Sequence, residues 1–596
     1  MLNSSAKTPK IIEKQPCAVV YETAKKFGLT ELQARLVANR TNDTDGLDEI
    51  IFPKLKHIQH PSALKNIEQA TQIICDAITA VQSSDGVIVL ATDYDTDGVT
   101  SAWVAKTALC EYFKVPADKV VHIIGDRKTG YGITDEVVKR ILAIDAPVEL
   151  VISADQGSSD EARIEQLKNN GIKVCVTDHH QIPIEGPPKS ATCTINPQQV
   201  GCDYDKTVAG CFVIFLVMTQ VRQALINLGK LPNETPSLKY LAHNVALGTV
   251  ADSVSLKSPN NRAIVHAGLQ IINQFHSPAW QAMKALNNNN EKPFDAEFLG
   301  FQVATRINAA SRVSDVTTAF KFLSSLNFDE ALAHLQQLDE DNLNRRAQQD
   351  AMLKQALLNA NEIYNDQTYS LALKLQGNAG IQGIIASRIG EKYGVPTVAM
   401  TDLEDGFLAG SARGVVDDID LRHAFQWMSE QKEDLFISMG GHKGAAGCMI
   451  AIENYPIFSQ LFEQAIQIQL GDVPPVPTIY TDGELADSML EPSLIDEINL
   501  LEPFGRDWLK PIFSGTFKIS QMRFVGQQKN HLSCKLQTST GKLMQSIFFN
   551  VRENEAEQLN YHVNDWVECA YQPSLNTYAG RTNLQLRLKS IIPLNQ

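Results

Sequence analysis

A chain of 596 residues is longer than one hydrophobic core supports and implies three or four domains. With 44% apolar and 20% charged residues it excludes extended disorder, and a net charge of −15 argues against a surface uniformly suited to polyanions. The opening MLNSSAKTPKIIEKQP lacks the apolar core of a secretory signal, and no uninterrupted apolar run is long enough to span a bilayer. The ten cysteines are scattered without zinc-ribbon spacing, so the expectation is a cytoplasmic protein with reduced thiols and no membrane contact.

In chain order, residues 1–66 read as an N-terminal helical segment. Residues 67–327 form a first α/β lobe: VIVLATD from Val87, VELVISAD from Val148 and KVCVTDHH from Lys173 are short apolar strands separated by amphipathic helices, the pattern of a parallel sheet. The asparagines at 287–290 read as a surface loop. Residues 328–365 keep helical periodicity without Pro or Gly and read as a connecting helix. A second α/β lobe spans 366–471, with glycine-containing segments GSARG and GGHKGAAG. The Pro-rich DVPPVPT opens a linker at 472–510, and short alternating runs over 511–596 predict a small β-barrel. From Arg506 onward eleven Lys and Arg face six Asp and Glu, which makes this end the best candidate for nucleic acid.

The sharpest signal lies at the strand ends. Asp93, Asp95 and Asp97 follow VIVLAT, Asp155 closes VISAD, Asp178, His179 and His180 close VCVTDHH, and Asp252 follows VALGTVA. Carboxyl ends of parallel strands form the ligand crevice of an open α/β sheet, so these residues converge. Carboxylates gathered without cations repel one another, and divalent cations resolve the conflict. Oxygen donors with imidazole suit Mg²⁺ or Mn²⁺, and two such ions serve phosphodiester or phosphoanhydride hydrolysis. Taken singly, the features have blander readings: DYDTDG as a calcium loop, Asp155 as a helix cap, the His pair as structural. The calcium loop lacks its bidentate Glu, and four such features on successive elements are hard to explain as caps.

With these segments in view, the chain resembles the DHH phosphoesterase superfamily and, within it, the RecJ exonucleases. DYDTDGVTS, ISADQGSSD, TDHH and ALGTVADSVSL look like the four motifs of the first lobe; the likeness continues through INAASR, GGHKGAAG and LEPFG, and covers nearly the whole chain. The resemblance implies a DHH lobe, a DHHA1 lobe and an OB-fold barrel, two divalent cations (Mn²⁺ or Mg²⁺), and 5′→3′ hydrolysis of single-stranded DNA to mononucleotides in repair and recombination. It implies that Asp95 and Asp155, with Asp93 nearby, hold one cation, and Asp97, Asp155, His179 and Asp252 the other. His180 would then face the scissile phosphate and Asp178 orient the His pair.

By the same resemblance Arg306, Asn308 and Arg312 lie near substrate phosphates. Ser411, Arg413 and the loop from Gly440 to Gly447, with Gly441 and His442, bind substrate. Arg523, Lys529, Lys535, Tyr578 and Arg581 are barrel contacts to the strand. A single-stranded-DNA-binding protein is the implied partner and a monomer the implied state. Departures from the pattern are Gln156 for Asn, Ser311 for Gly, GNAGIQ without Trp-His, and LEPFGRDW without Gly-Asn-Pro. Two other readings stay open: a superfamily member acting on small nucleotides, which needs no barrel, and a silent scaffold, which loses metal ligands.

Overall fold

A computed structural model describes residues 8–287, 292–403, 406–416, 418–552, 558–578 and 580–594, so positions 288–290 of the asparagine run lie outside the described residues. The chain enters through a short strand, β1 (Lys10–Glu13), within a segment that its sequence pattern presents as helical. The first lobe is built on an all-parallel sheet of β2 (Val87–Thr92), β3 (Val120–Ile124), β4 (Val148–Ala154), β5 (Val174–Thr177) and β6 (Cys193–Ile195). The strand order is β3-β2-β4-β5-β6. β2 is buried at every position, as a central parallel strand covered on both faces must be. Because β3 and β4 flank β2 on opposite sides, the order reverses there, and a crevice opens at the carboxyl ends of β2 and β4.

One helix comes near the length and composition of a bilayer span, although Thr219, Gln220, Arg222 and Gln223 interrupt its apolar run. It is Gly210–Asn227, 18 residues with a mean hydropathy of 1.4. It is apolar because it is a core helix, packed against the helices Ile67–Ser83 and Thr96–Thr107 and buried over most of its length.

The long helix Phe328–Ile363 is capped by Asn327, whose side chain accepts from the Glu330 N–H at 2.9 Å. It packs on Pro278–Leu286 and Thr305–Val313 of the first lobe and on Gln382–Tyr393 of the second. The second sheet contains β7 (Leu371–Leu375), β8 (Thr397–Asp402), β9 (Phe407–Arg413), β10 (Ser438–His442) and β11 (Ala445–Ala451), in the order β10-β11-β9-β8-β7. Only β7 and β8 pair in parallel. The segment expected as a loop from Gly440 to Gly447 is instead an antiparallel hairpin, with Gly440 opposite Gly447 and only residues 443 and 444 in the turn. Glycine and alanine are poor strand formers by propensity, and the neighbouring β9 imposes the extended form.

The chain then forms β12 (Thr478–Thr481), which pairs in parallel with β1. β13 (Phe513–Val525), β14 (His531–Gln537), β15 (Leu543–Phe548), β16 (Trp566–Tyr578) and β17 (Arg581–Pro593) close a barrel in the order β13-β14-β15-β17-β16. The stretch read as a linker is packed: Leu485, Leu490, Leu494, Ile498, Leu501, Phe504 and Trp508 are buried, and they join the barrel interior to the core of the first lobe. The second lobe has separate cores of its own.

Candidate metal centre

Four chain segments deliver the acidic cluster. Beyond β2, Asp95 caps the helix Thr96–Thr107, its Oδ1 accepting from the Asp97 and Gly98 N–H groups at 2.8 and 3.1 Å. Asp97 is itself held by the N-terminus of Gly210–Asn227, where the Gly210 and Cys211 N–H groups donate to it at 2.6 and 2.9 Å. Beyond β4, Asp155 adopts a left-handed backbone (φ 63°), which turns its carboxylate into the crevice. Asp252 sits at the C-terminal end of the helix Ala242–Ala251. Gly210 and Gly248 permit this closeness. A Cβ on Gly210 would stand 2.5 Å from Asp155 Oδ1, and one on Gly248 2.8 Å from Asp97 Oδ1.

His179 Nε2 lies 3.3 Å from Asp155 Oδ1, 3.6 Å from Asp252 Oδ2 and 3.9 Å from Asp97 Oδ2. Among the described residues it has no hydrogen-bond partner although it is buried, and the same holds for Asp155 Oδ1 and Asp93 Oδ1. Ligand atoms of Asp93, Asp95 and Asp155 all lie within 4.8 Å of one another, as do those of Asp97, His179 and Asp252. Asp155 thus stands where the two groups meet. Burial, reinforced by Asp97, Asp95 and Asp93, pushes the Asp155 carboxyl well above the carboxylate range; burial and then Asp95 do so for Asp93, and burial and then Asp97 for Asp252, while the same two causes raise Asp95. Clustered carboxylates with unpaired donor atoms, beside an imidazole of lowered pKa, are what a pair of hard divalent cations requires.

Asp178 is used differently. Its Oδ1 accepts from the N–H groups of His179 and His180 at 2.7 and 3.2 Å and from His180 Nδ1 at 2.8 Å, while Oδ2 takes the Ser158 N–H at 3.0 Å. Burial works against that charge, but the His180 bond and the two imidazoles hold Asp178 well below the usual range. In return, and against the effect of its own burial, His180 is pushed up to about 9 by Asp178, Asp252 and Asp95.

Several residues that complete the site escape sequence reasoning. Tyr131 donates its hydroxyl toward the Asp155 carbonyl at 2.9 Å and lies 2.9 Å from His180 Nδ1. Asn196 Nδ2 donates to Ser158 Oγ at 2.8 Å and to the His180 carbonyl at 2.9 Å. Arg127 stacks over Tyr94 at 4.4 Å, its Nε buried and without a partner among the described residues. The only sequence signal for Tyr131 is its setting between two glycines in TGYG. Arg127 and Asn196 carry none.

The expected substrate residues are dispersed. Arg306 pairs with Asp339 of the long helix at 2.8 Å, and Asn308 Oδ1 accepts from the Thr96 N–H at 2.8 Å, anchoring the start of the first motif helix. Arg312 donates to the Gly380 carbonyl and lines a cavity of about 550 Å³ with Tyr94, Arg127, Lys128, Arg140 and Asn378. Burial and then Arg127 lower its pKa to about 10. Arg413 donates to Ser411 Oγ at 2.9 Å, and Gly440, Gly441 and His442 lie exposed on β10. Gly441, at φ 146°, leaves no room for a Cβ, which would stand 2.5 Å from the Ala445 carbonyl oxygen.

On the barrel, Arg523 and Lys535 share a face of β13 and β14, joined there by Arg587 of β17. Lys529 lies in an exposed turn and Arg581 at the far end of β17; the Tyr578 side chain lies outside the described residues. Unforeseen from sequence, half-exposed Phe549 meets His531 edge-to-face at 5.2 Å and lies under Arg587 at 5.6 Å.

Fold and centre together define a protein of the DHH class. Family models match in three places: the DHH family N-terminal domain over residues 87–249, the DHHA1 domain over 366–468 and the RecJ OB domain over 481–590. The chain is 31% identical over 551 residues to the single-stranded-DNA-specific exonuclease RecJ of Haemophilus influenzae, covering 91% of this chain and 93% of that protein. It is 29% identical over 542 residues to the protein of the same description from Escherichia coli, covering 89% and 91%. The chain belongs to the RecJ family. Its fold matches a crystal structure of RecJ with Mn²⁺ from Thermus thermophilus at a TM-score of 0.76, with 22% identity and coverage of 100% of this chain and 80% of that one. A second, of an exonuclease RecJ bound to manganese, matches at a TM-score of 0.54 and 27% identity over 68% of this chain and 94% of that one.

Proposed function

We propose that this chain is a metal-dependent 5′→3′ exonuclease that hydrolyses single-stranded DNA to mononucleotides in DNA repair and recombination. The observation that carries the reading is His179 Nε2, unpaired among Asp97, Asp155 and Asp252, beside the group Asp93, Asp95 and Asp155. Two divalent cations, Mn²⁺ or Mg²⁺, would be held by these residues and supply Lewis-acid chemistry to the phosphodiester bond. His180, fixed by Asp178 and Tyr131, faces a phosphate oxygen, and its bond to Asp178 favours the protonated imidazole there. The cationic cavity of Arg127, Lys128, Arg140 and Arg312 is lined by Tyr94, the residue between Asp93 and Asp95 in the sequence, and suits a terminal 5′-phosphate.

Relatives described as single-stranded-DNA-specific support the substrate, and the barrel face of Arg523, Lys535, Arg587 and Phe549 supports a strand extending past the second lobe. Ten free cysteines, eight of them buried, support a reducing cytoplasmic setting; a monomer and a single-stranded-DNA-binding protein as partner complete the proposal.

The test is digestion of an end-labelled single strand with Mn²⁺ or Mg²⁺ by the wild type and by Asp155→Ala. Labelled mononucleotide released from the 5′ end, and lost by at least a thousandfold in the variant, is expected (on the order of a catalytic-metal ligand's contribution). Release from the 3′ end, or equal digestion of a blunt duplex, would refute the polarity or the strand preference.

A further inference from the structure

Arg506 opens the basic C-terminal end but is none of the barrel, hairpin or metal-centre residues, and its position is closely determined. The fully buried guanidinium of Arg262 donates to the carbonyls of Leu501 and Pro503 at 2.9 Å each, of Leu256 at 3.2 Å and of Ile50 at 2.6 Å. It also stacks on Trp508 at 4.5 Å, whose Nε1 donates to the Leu501 carbonyl at 3.1 Å. The segment from Leu501 to Trp508 is therefore pinned to the turn that follows Asp252. The Leu256 N–H donates to the Arg506 carbonyl at 2.9 Å, and Arg506 Nη1 donates to the Ser253 carbonyl at 3.3 Å.

The side chain itself is exposed, and among the described residues it forms no salt bridge. Its charge is felt on both sides of the interlobe gap: it offsets part of the upward push on Asp252, and after burial it is the largest influence lowering His442. A rigidly based guanidinium with no salt bridge among the described residues, held on the turn after Asp252 and felt by His442 of the glycine hairpin, stands where a polyanion would pass. It occurs in LEPFGRDW, the stretch that departs from the family's usual Gly-Asn-Pro.

We infer that Arg506 contacts substrate, holding a backbone phosphate next to the scissile one as the single strand passes between the Asp252 turn and the β10–β11 hairpin. The inference rests on the nuclease reading above. A planar, permanently charged fork suits two oxygens of one phosphate, whereas a residue serving only to brace Ser253 would need no free charge.

The test measures equilibrium binding of a fluorescein-labelled oligothymidylate to the full chain carrying Asp155→Ala, with and without Arg506→Ala or Arg506→Lys, across a salt series in Mn²⁺. Arg506→Ala is expected to weaken binding about tenfold near ~0.1 M salt and to reduce the slope of log K against log salt by about 0.7, the value of one phosphate contact on a single strand. Arg506→Lys should restore most of the slope. An unchanged slope in Arg506→Ala would overturn the inference, and with a loss of affinity beside it would make Arg506 a brace for the Asp252 turn. Binding is read without cleavage, so a wild type that fails to release 5′ nucleotides would sink the nuclease reading separately.

Discussion

At Asp155 backbone and charge are jointly committed. Its left-handed conformation is one that Asp and Asn tolerate better than other side chains, and its carboxylate is buried against those of Asp93, Asp95 and Asp97. Without a cation, the folded form holds a proton at this site more tightly than the unfolded chain does, so the ionised cluster costs stability as pH rises toward neutrality. Asp155→Asn keeps the backbone preference and removes one charge. In EDTA at pH 7 it should melt about 2 °C or more above the wild type, roughly what 1 kcal/mol yields in a large domain, while losing the stabilisation that Mn²⁺ gives the wild type. A lower melting temperature in EDTA would show that the carboxylates are not in conflict. The carboxylates and His pair were legible because parallel strands bring their ends together whatever lies between. Tyr131, Arg127 and Asn196 were not, since each comes from a loop whose path no periodicity specifies.

Among the elements, the strands and helices with strong apolar patterns stand where their patterns place them: β2, β4 and β5, the helix Phe328–Ile363 and the barrel strands. The misread ones are those whose conformation depends on a distant neighbour. β1 is a strand only because β12 pairs with it, and the Gly440–Gly447 stretch is extended only because β9 lies alongside. The packed stretch before the barrel has a titratable member of its own. Burial, then Asp295, raises Glu502 to about 7 from a usual value of 4.5. Its folded value lies above its unfolded one, so the cost is absent below the unfolded value, grows as pH rises to about 7, and stays constant above. Glu502→Gln should therefore stabilise the chain by on the order of 1–2 kcal/mol at pH 8 and change little at pH 5, measured by urea melts at the two pH values. Equal effects at both would place the carboxylate in solvent.

At the scale of the molecule there are two bodies of different kinds. The second lobe, with the later part of the long helix, closes its own cores, whereas the barrel shares one continuous core with the first lobe. A fragment from Arg345 to Gly471 is expected to melt cooperatively by itself. A chain ending at Lys510, although it keeps every metal ligand, should be protease-sensitive and lack a sharp transition, because Phe504 and Trp508 lose their cover. Calorimetry with limited proteolysis decides the point; a cooperative 1–510 chain would make the barrel a mere appendage.

The same arrangement ties the chain's beginning to its last third: β1 pairs with β12, and the Thr30 side chain bonds to Glu497, 467 residues away. On a ribosome adding about 5–20 residues per second, these partners emerge roughly 25–90 s apart. The helices Ala18–Lys26 and Glu31–Ala38 thus wait over that interval for the part of their packing that β12 and Glu497 supply, and are clients for a chaperone while they do.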